Sequence, residues 1–297
     1  MEQTGPERNT TATVVLVAGL ACAALLANST RVRAAWDEVA HFLSLSGKPE
    51  PASANVLSEH HAEELDAMTP QAQAEFLLER SMNHYAGANE QIQARLASWR
   101  GRIDPSDRFE SLFRMAINSD DLRVRAAAIE IDILARKLEK TPETVDRLEA
   151  VAHTGAQGPR ANALWDLGLI GNRGVQPDRV AQIIGRSLRD DNENIRYWAV
   201  EGLAYLGTDE VIAPLLEVFR DDPSPMIRER AACGLAQSGM LSQRQRLMAV
   251  PRLLDYAEDM SLDDRTRGWV FQALRDITGR NLPRDPAAWR RWYSSRS

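Results

Sequence analysis

The chain has little with which to do chemistry. It holds two cysteines in 297 residues, Cys22 in an apolar run and Cys233 inside a helical phrase, which excludes a disulfide framework and a cysteine-based zinc site. The five histidines, His41, His60, His61, His84 and His153, form no H-E-x-x-H pair, and the run from Glu59 to Glu64 fits no standard metal-ligand spacing. Gly155 and Gly158 lack the Lys-Ser/Thr that follows a phosphate-binding loop, and no serine or cysteine stands in a nucleophile motif. The expectation is therefore a protein with no catalytic residue, cofactor or metal and no evident small-molecule substrate. Aromatic residues are scarce at 6% and no segment alternates with period 2, so strands are not expected. Charge of one sign is missing as well. The net charge is −6, and basic and acidic residues nearly balance from Asp104 onward, which leaves no electrostatic footprint for nucleic acid.

One long apolar run is present. Between Arg8 and Arg31 there is no charge, and Ala12 to Ala27 is almost wholly apolar. At about 1.5 Å per residue such a stretch crosses a hydrocarbon core of roughly 30 Å, so residues 11–30 are expected to form a single transmembrane anchor after a short tail at 1–10. The alternative is a signal peptide cleaved before Thr30, with small residues at Ala27 and Ser29, although Glu2 and Glu7 make a poor positive leader. Arg31 and Arg33 lean the body towards the cytoplasm, whereas a single amino-terminal anchor more often exports the domain behind it, and the balance tips slightly to export. Residues 31–57, with the Pro- and Ser-rich stretch Ser46 to Ala54, read as a juxtamembrane linker.

The rest of the chain is a helical text with a refrain. RANALWDLGLIG from Arg160, RYWAVEGLAYLG from Arg196 and RERAACGLAQSG from Arg228 repeat Arg, Ala, Leu and Gly at offsets 0, 3, 7 and 11. Offsets 3 and 7 share a helix face and the glycine falls where a helix would stop. Arg267, Val270 and Leu274 keep the phrase with Gly279 one step late, and Arg125 with Ala128 keeps half of it. Each phrase opens the second helix of a hairpin, and first helices are expected near Asp107–Asn118, Thr141–His153, Pro177–Arg189, Asp209–Arg220 and Arg246–Glu258. The turns carry Asp120-Asp121, Asp190-Asp191, Asp221-Asp222 and Asp263-Asp264, suited to capping the second helices. A phrase returning after 36 and then 32 residues implies units that bury their apolar faces against their neighbours. The expected fold is all-α: a right-handed α-solenoid of stacked antiparallel helical hairpins, preceded by one transmembrane helix. Its parts are a divergent helical cap at 58–103, repeats at 104–280 and a capping helix at 281–297.

These features resemble the HEAT repeat family, in particular the bacterial short-unit subtype related to phycobilisome lyases. The resemblance rests on Asp-Asp followed by Ile195-Arg196 and Ile227-Arg228, on Pro214 and Pro251 in first helices, and on a tail with Asp285-Pro286, Trp289 and Trp292. It implies that Asp191, Arg196, Asp222, Arg228, Arg160 and Arg267 form a structural ladder. It further implies a protein-binding scaffold, or an accessory subunit of a membrane complex, whose second helices line a concave surface. Helical phase then offers Asn162, Tyr197, Glu201, Glu229 and Arg230 as outward positions, with Trp289 and Trp292 either covering the last hairpin or forming a docking knob. Two alternatives remain: bilin-lyase-like handling of a chromophore, and a solenoid that binds nucleic acid, which the acidic turns disfavour.

Overall fold

The computed structural model describes residues 56–57 and 59–295. The expected tail and anchor, the cleavage point before Thr30 and nearly all of the linker lie outside the described residues. Among the described residues no helix is long and apolar enough to cross a membrane.

Fifteen α-helices form from Glu59 onward, and no strand joins them among the described residues. The first five are α1 (Glu59–Ala67), α2 (Pro70–Met82), α3 (Ala88–Trp99), α4 (Asp107–Ala116) and α5 (Leu122–Ala135). Side-chain caps set their starts. Thr69 accepts from Ala72 N at 3.3 Å with Pro70 in the first turn, Ser106 from Phe109 N at 3.0 Å, and Asp121 from Arg123 N at 2.8 Å. α2 to α5 pack on one another around Leu77, Leu78, Ile92, Trp99 and Phe109. α5 is buried on every side, from Val124 round to Ala135, as its apolar sequence requires.

Four hairpins come next in the chain. They are α6 (Pro142–Thr154) with α7 (Gln157–Asn172), α8 (Pro177–Arg186) with α9 (Glu193–Leu206), α10 (Ile212–Asp221) with α11 (Pro225–Ala236), and α12 (Gln243–Met248) plus α13 (Val250–Glu258) with α14 (Asp264–Thr278). The second helices α7, α9, α11 and α14 pack in series, each on the next. The expected helix from Arg246 is thus two helices, because Pro251 has no N–H to continue α12 and instead sits in the first turn of α13. A final helix, α15 (Pro286–Ser294), starts at the Asp285 cap and packs on α13.

The glycines of the refrain do different work from one unit to the next. Gly207 ends α9 in the left-handed region at φ 65°, as a helix stop should. Gly171 lies within α7, where a side chain would meet Leu206 Cδ1 at 2.6 Å, so its task is close packing. Gly239 lies beyond the end of α11, where a Cβ would stand 2.3 Å from Ala204 O.

The half-phrase at Arg125 also has its own geometry. The guanidinium bonds Ser119 O within its own turn, but its outer nitrogens reach the carbonyls of Gly239 and Gln237, beyond the end of α11. Tyr205 Oη, on α9, donates to Ile117 O at 3.4 Å. The α4–α5 hairpin therefore lies against the carboxyl ends of α9 and α11, and is not stacked in line ahead of α6 as the regular spacing suggested. Half a phrase signalled a helix whose arginine no longer has a carboxylate to meet.

Candidate interaction surface

The ladder arginines obey one rule in three units. Arg196 Nη1 donates to Asp190 O at 2.9 Å in its own turn, while Nε and Nη2 hold both oxygens of Asp222, in the next turn, at 2.9 and 3.2 Å. Arg228 donates to Asp222 O at 2.8 Å and then reaches Asp263 at 3.1 Å and Thr266 Oγ1 at 3.1 Å. Arg160 donates to Ala152 O at 2.9 Å and pairs with Asp190. Each arginine thus ties its own turn to the following one. Arg267 instead contacts Asp264 and Met260 Sδ, close by in sequence.

In the turns before α9 and α11 the carboxylates used are those of Asp190 and Asp222, not Asp191. Both also accept from the amide two residues on, Asn192 N at 2.9 Å and Ser224 N at 2.8 Å, which closes an Asx turn before the helix. That differs from the expectation that the aspartates cap α9 and α11 themselves: Asn192 caps α9, Ser224 stands at the start of α11, and Asp191 is exposed, offering only its carbonyl to Arg196. Between α8 and α10 the turns leave a groove of about 980 Å³ lined by Gln182, Arg189, Pro214, Glu217 and the Arg196–Asp222 pair.

The second helices carry an aromatic row. Tyr197 stands edge-on to Trp198 at 5.6 Å between ring centres, Trp198 edge-on to Trp165 at 6.0 Å, and Trp165 against Tyr205 at 4.7 Å. Burial pushes the Tyr205 hydroxyl up to about 12, so it serves as a neutral donor to Ile117 O. Trp165, Trp198 and Tyr197 remain half-buried, next to exposed Asn162 and Asn194. Sequence reasoning missed Trp165, Trp198 and Tyr205. The signal was Trp198, Glu201 and Tyr205 at spacings of three and four, one stripe of a helix.

Two of the expected outward residues face each other instead. Glu201 is 5% exposed and both its oxygens meet the Arg230 guanidinium, which joins α9 to α11. Phase placed them correctly on one stripe, but the stripe is where neighbouring second helices meet. Glu229 is half-buried, and burial raises its carboxyl above the usual range, with Arg265 opposing. Beside it Met226 is 52% exposed.

The tail is a lid. Trp289 is fully buried, donates Nε1–H to Pro283 O at 3.0 Å and meets Trp292 edge-on at 5.7 Å. Arg290 fastens α15 to α13 through Asp255 at 2.6 Å and Glu258 at 2.9 Å. Neither tryptophan projects as a docking knob, since Trp292 is half-buried against the same core. Trp289→Ala is expected to cost roughly 2 kcal/mol, below the usual loss for a buried tryptophan because a terminal helix detaches alone. Amide exchange confined to residues 286–294 checks it; exchange spread through α13 and α14 would contradict it.

One stretch of the array matches a known repeat. Residues 157–236 match the HEAT repeat family. The match runs from the start of α7 to the end of α11, the span in which Arg160, Arg196 and Arg228 sit. No curated protein matches the chain. HEAT repeats generally serve as protein-interaction scaffolds. Among the described residues no three of His, Cys, Asp and Glu gather where they could hold a metal ion.

Proposed function

We propose that this protein is a membrane-anchored, non-catalytic scaffold that holds a protein partner on the second helices of its HEAT segment. The observation that carries the reading is the half-buried aromatic row Tyr197–Trp198–Trp165, laid across two helices and flanked by Asn162 and Asn194. Aromatic side chains contribute large contact area for few lost torsions, and such residues dominate binding hot spots. The supporting helices are rigid at that point, since α7 and α9 meet backbone to backbone at Gly168 and Gly202. The apolar run from Ala12 to Ala27 supports the anchor.

The test is affinity capture of the full chain from detergent-solubilised membranes, with Tyr197→Ala beside the wild type and mass measurement of the mature chain. A stoichiometric protein partner is expected, weakened at least tenfold by Tyr197→Ala while the melting temperature holds, as for the loss of an aromatic hot spot worth about 2 kcal/mol. No stoichiometric partner, or equal capture by the variant, refutes the docking face. A mass lacking the residues before Thr30 refutes the anchor.

A further inference from the structure

The N-terminal bundle and the HEAT array meet across an unbalanced set of charges. Asp132, on α5, is 1% exposed, and its Oδ2 accepts from Arg136 Nε at 2.8 Å while its Oδ1 has no hydrogen-bond partner among the described residues. Asp166, on α7, lies 3.7 Å from Arg136 Nη1, and its Oδ1 also lacks a hydrogen bond. Two carboxylates on opposite sides of one interface thus share a single guanidinium. The cost of holding both ionised is high, because a buried surplus charge loses its hydration and gains only half a partner.

Among the described residues the surroundings offer no second cation. From α4, Glu110 adds negative charge near Asp132 and Arg136. The charges of α2 and α3 are engaged elsewhere: Glu75 and Glu79 with Arg108, Arg95 with Asp66, Arg80 over Phe76 and Tyr85, and Glu90 towards Arg123. Arg173, just past the end of α7, is taken by Glu130 of α5, which also holds Lys140 at 2.8 Å. Arg160 pairs with Asp190.

We propose that Asp132, Arg136 and Asp166 form a proton-controlled latch, which fastens α5 to α7 when one carboxyl carries a proton and loosens it when both are ionised. Burial, opposed by Arg136, pushes the Asp132 carboxyl up from 3.8 to about 6, and burial with the Asp132 charge does the same for Asp166. The two titrate as a pair. A carboxyl raised by folding binds its proton more tightly in the docked state, so its stabilisation is complete below the ordinary range near 3.8 and is lost as pH rises through about 6. Among the other contacts across this interface, which include Tyr205 on Ile117 O and Arg173 with Glu130, Arg125 on the Gln237 and Gly239 carbonyls keeps its charge throughout. Half-buried Asp276 and Glu229 shift in the same direction, but on α14 and α11, so a site-resolved readout separates them.

The consequence for binding rests on the docking face proposed above, because the bundle covers the carboxyl end of the same helices and the latch sets how firmly it does so. The latch itself is tested without any partner, by hydrogen exchange of the full chain in detergent at pH 5.0 and 7.5, corrected for intrinsic rates. Protection of residues 122–135 is expected to be on the order of tenfold greater at pH 5.0. Asp166→Asn should remove the dependence and hold the pH 5.0 level at both values, and Asp132→Asn serves should the first variant not fold. Equal wild-type protection at the two pH values, or an unchanged slope in a folded variant, overturns the latch. That result leaves the docking face standing, just as failure of Tyr197→Ala to weaken capture leaves the latch standing.

Discussion

Asp222→Ala is expected to lower the melting temperature by roughly 8 °C, corresponding to a loss of about 3 kcal/mol for a described unit of this size. Asp222 has three tasks at once. It takes two bonds from Arg196, closes the turn by accepting Ser224 N at 2.8 Å, and offers its carbonyl to Arg228. Alanine keeps only the last. What remains is a guanidinium 11% exposed, still bonded to the Asp190 and Asp191 carbonyls but without its hydrogen-bonded counter-charge, leaving only the more distant Asp190 and Glu193. Removing one partner of a buried pair costs about 3 to 5 kcal/mol, and the groove between α8 and α10 brings water to one edge of this pair, which holds the cost to the lower end.

The double variant R196M/D222L separates the two contributions. Replacing both charges with apolar side chains removes the stranded guanidinium and is expected to recover most of the lost stability, because the Coulombic gain of a buried pair roughly cancels its desolvation. Arg267→Ala is the control. Its partner Asp264 is 95% exposed, so the melting temperature should move by no more than about 1 °C. Thermal unfolding of the four proteins at one pH decides the matter. A shift for Arg267→Ala as large as that for Asp222→Ala would show that the ladder contributes by number and not by burial.

The same contrast shows what could be read in advance. The helices that carry Arg160, Arg196, Arg228 and Arg267 were legible, although each opens three residues earlier, because Ala or Val and Leu at offsets 3 and 7 demand a helix with one buried side whatever surrounds it. The partner of each arginine was less so. Asp190 and Asp191 are neighbours in sequence, and only the Asx turn that Asp190 makes with Asn192 decides which of them points back along the array. Glu201 and Arg230 were legible as one face and illegible as a pair, since helical phase says which residues share a side but not which neighbour that side meets. The long reach of Arg125 to Gly239 had no local signal at all. It arises from how an N-terminal bundle is laid on the array, and half a phrase recorded only that the usual partner was missing.

Gly202→Ala carries the other large effect, again about 3 kcal/mol, and it runs against local propensity. Alanine in a helix interior is favoured over glycine by about 1 kcal/mol, so an unconstrained site would gain from the change. Gly185, on α8, is such a site: a Cβ there has nothing within 4 Å, and Gly185→Ala should raise the melting temperature by roughly 2 °C. At Gly202 a Cβ would stand 2.5 Å from Leu164 O, and at Gly168 it would stand 2.4 Å from Gly202 O. Both obstacles are backbone, which has no rotamer to change. Relief requires α7 and α9 to move apart, and that opens the contact on which Trp165 meets Trp198 and Tyr205. Overpacking typically costs about 1 to 3 kcal/mol and occasionally more; against two backbone obstacles that cannot yield it comes to about 4, and the propensity gain of about 1 leaves the net loss of about 3. G168A/G202A should cost less than the sum of the single changes, because once the helices have separated for one methyl the second finds room. Melting curves with tryptophan fluorescence read both effects together. A stable Gly202→Ala with unaltered emission would mean that the glycines are incidental, and that some other contact sets the spacing on which the aromatic row depends.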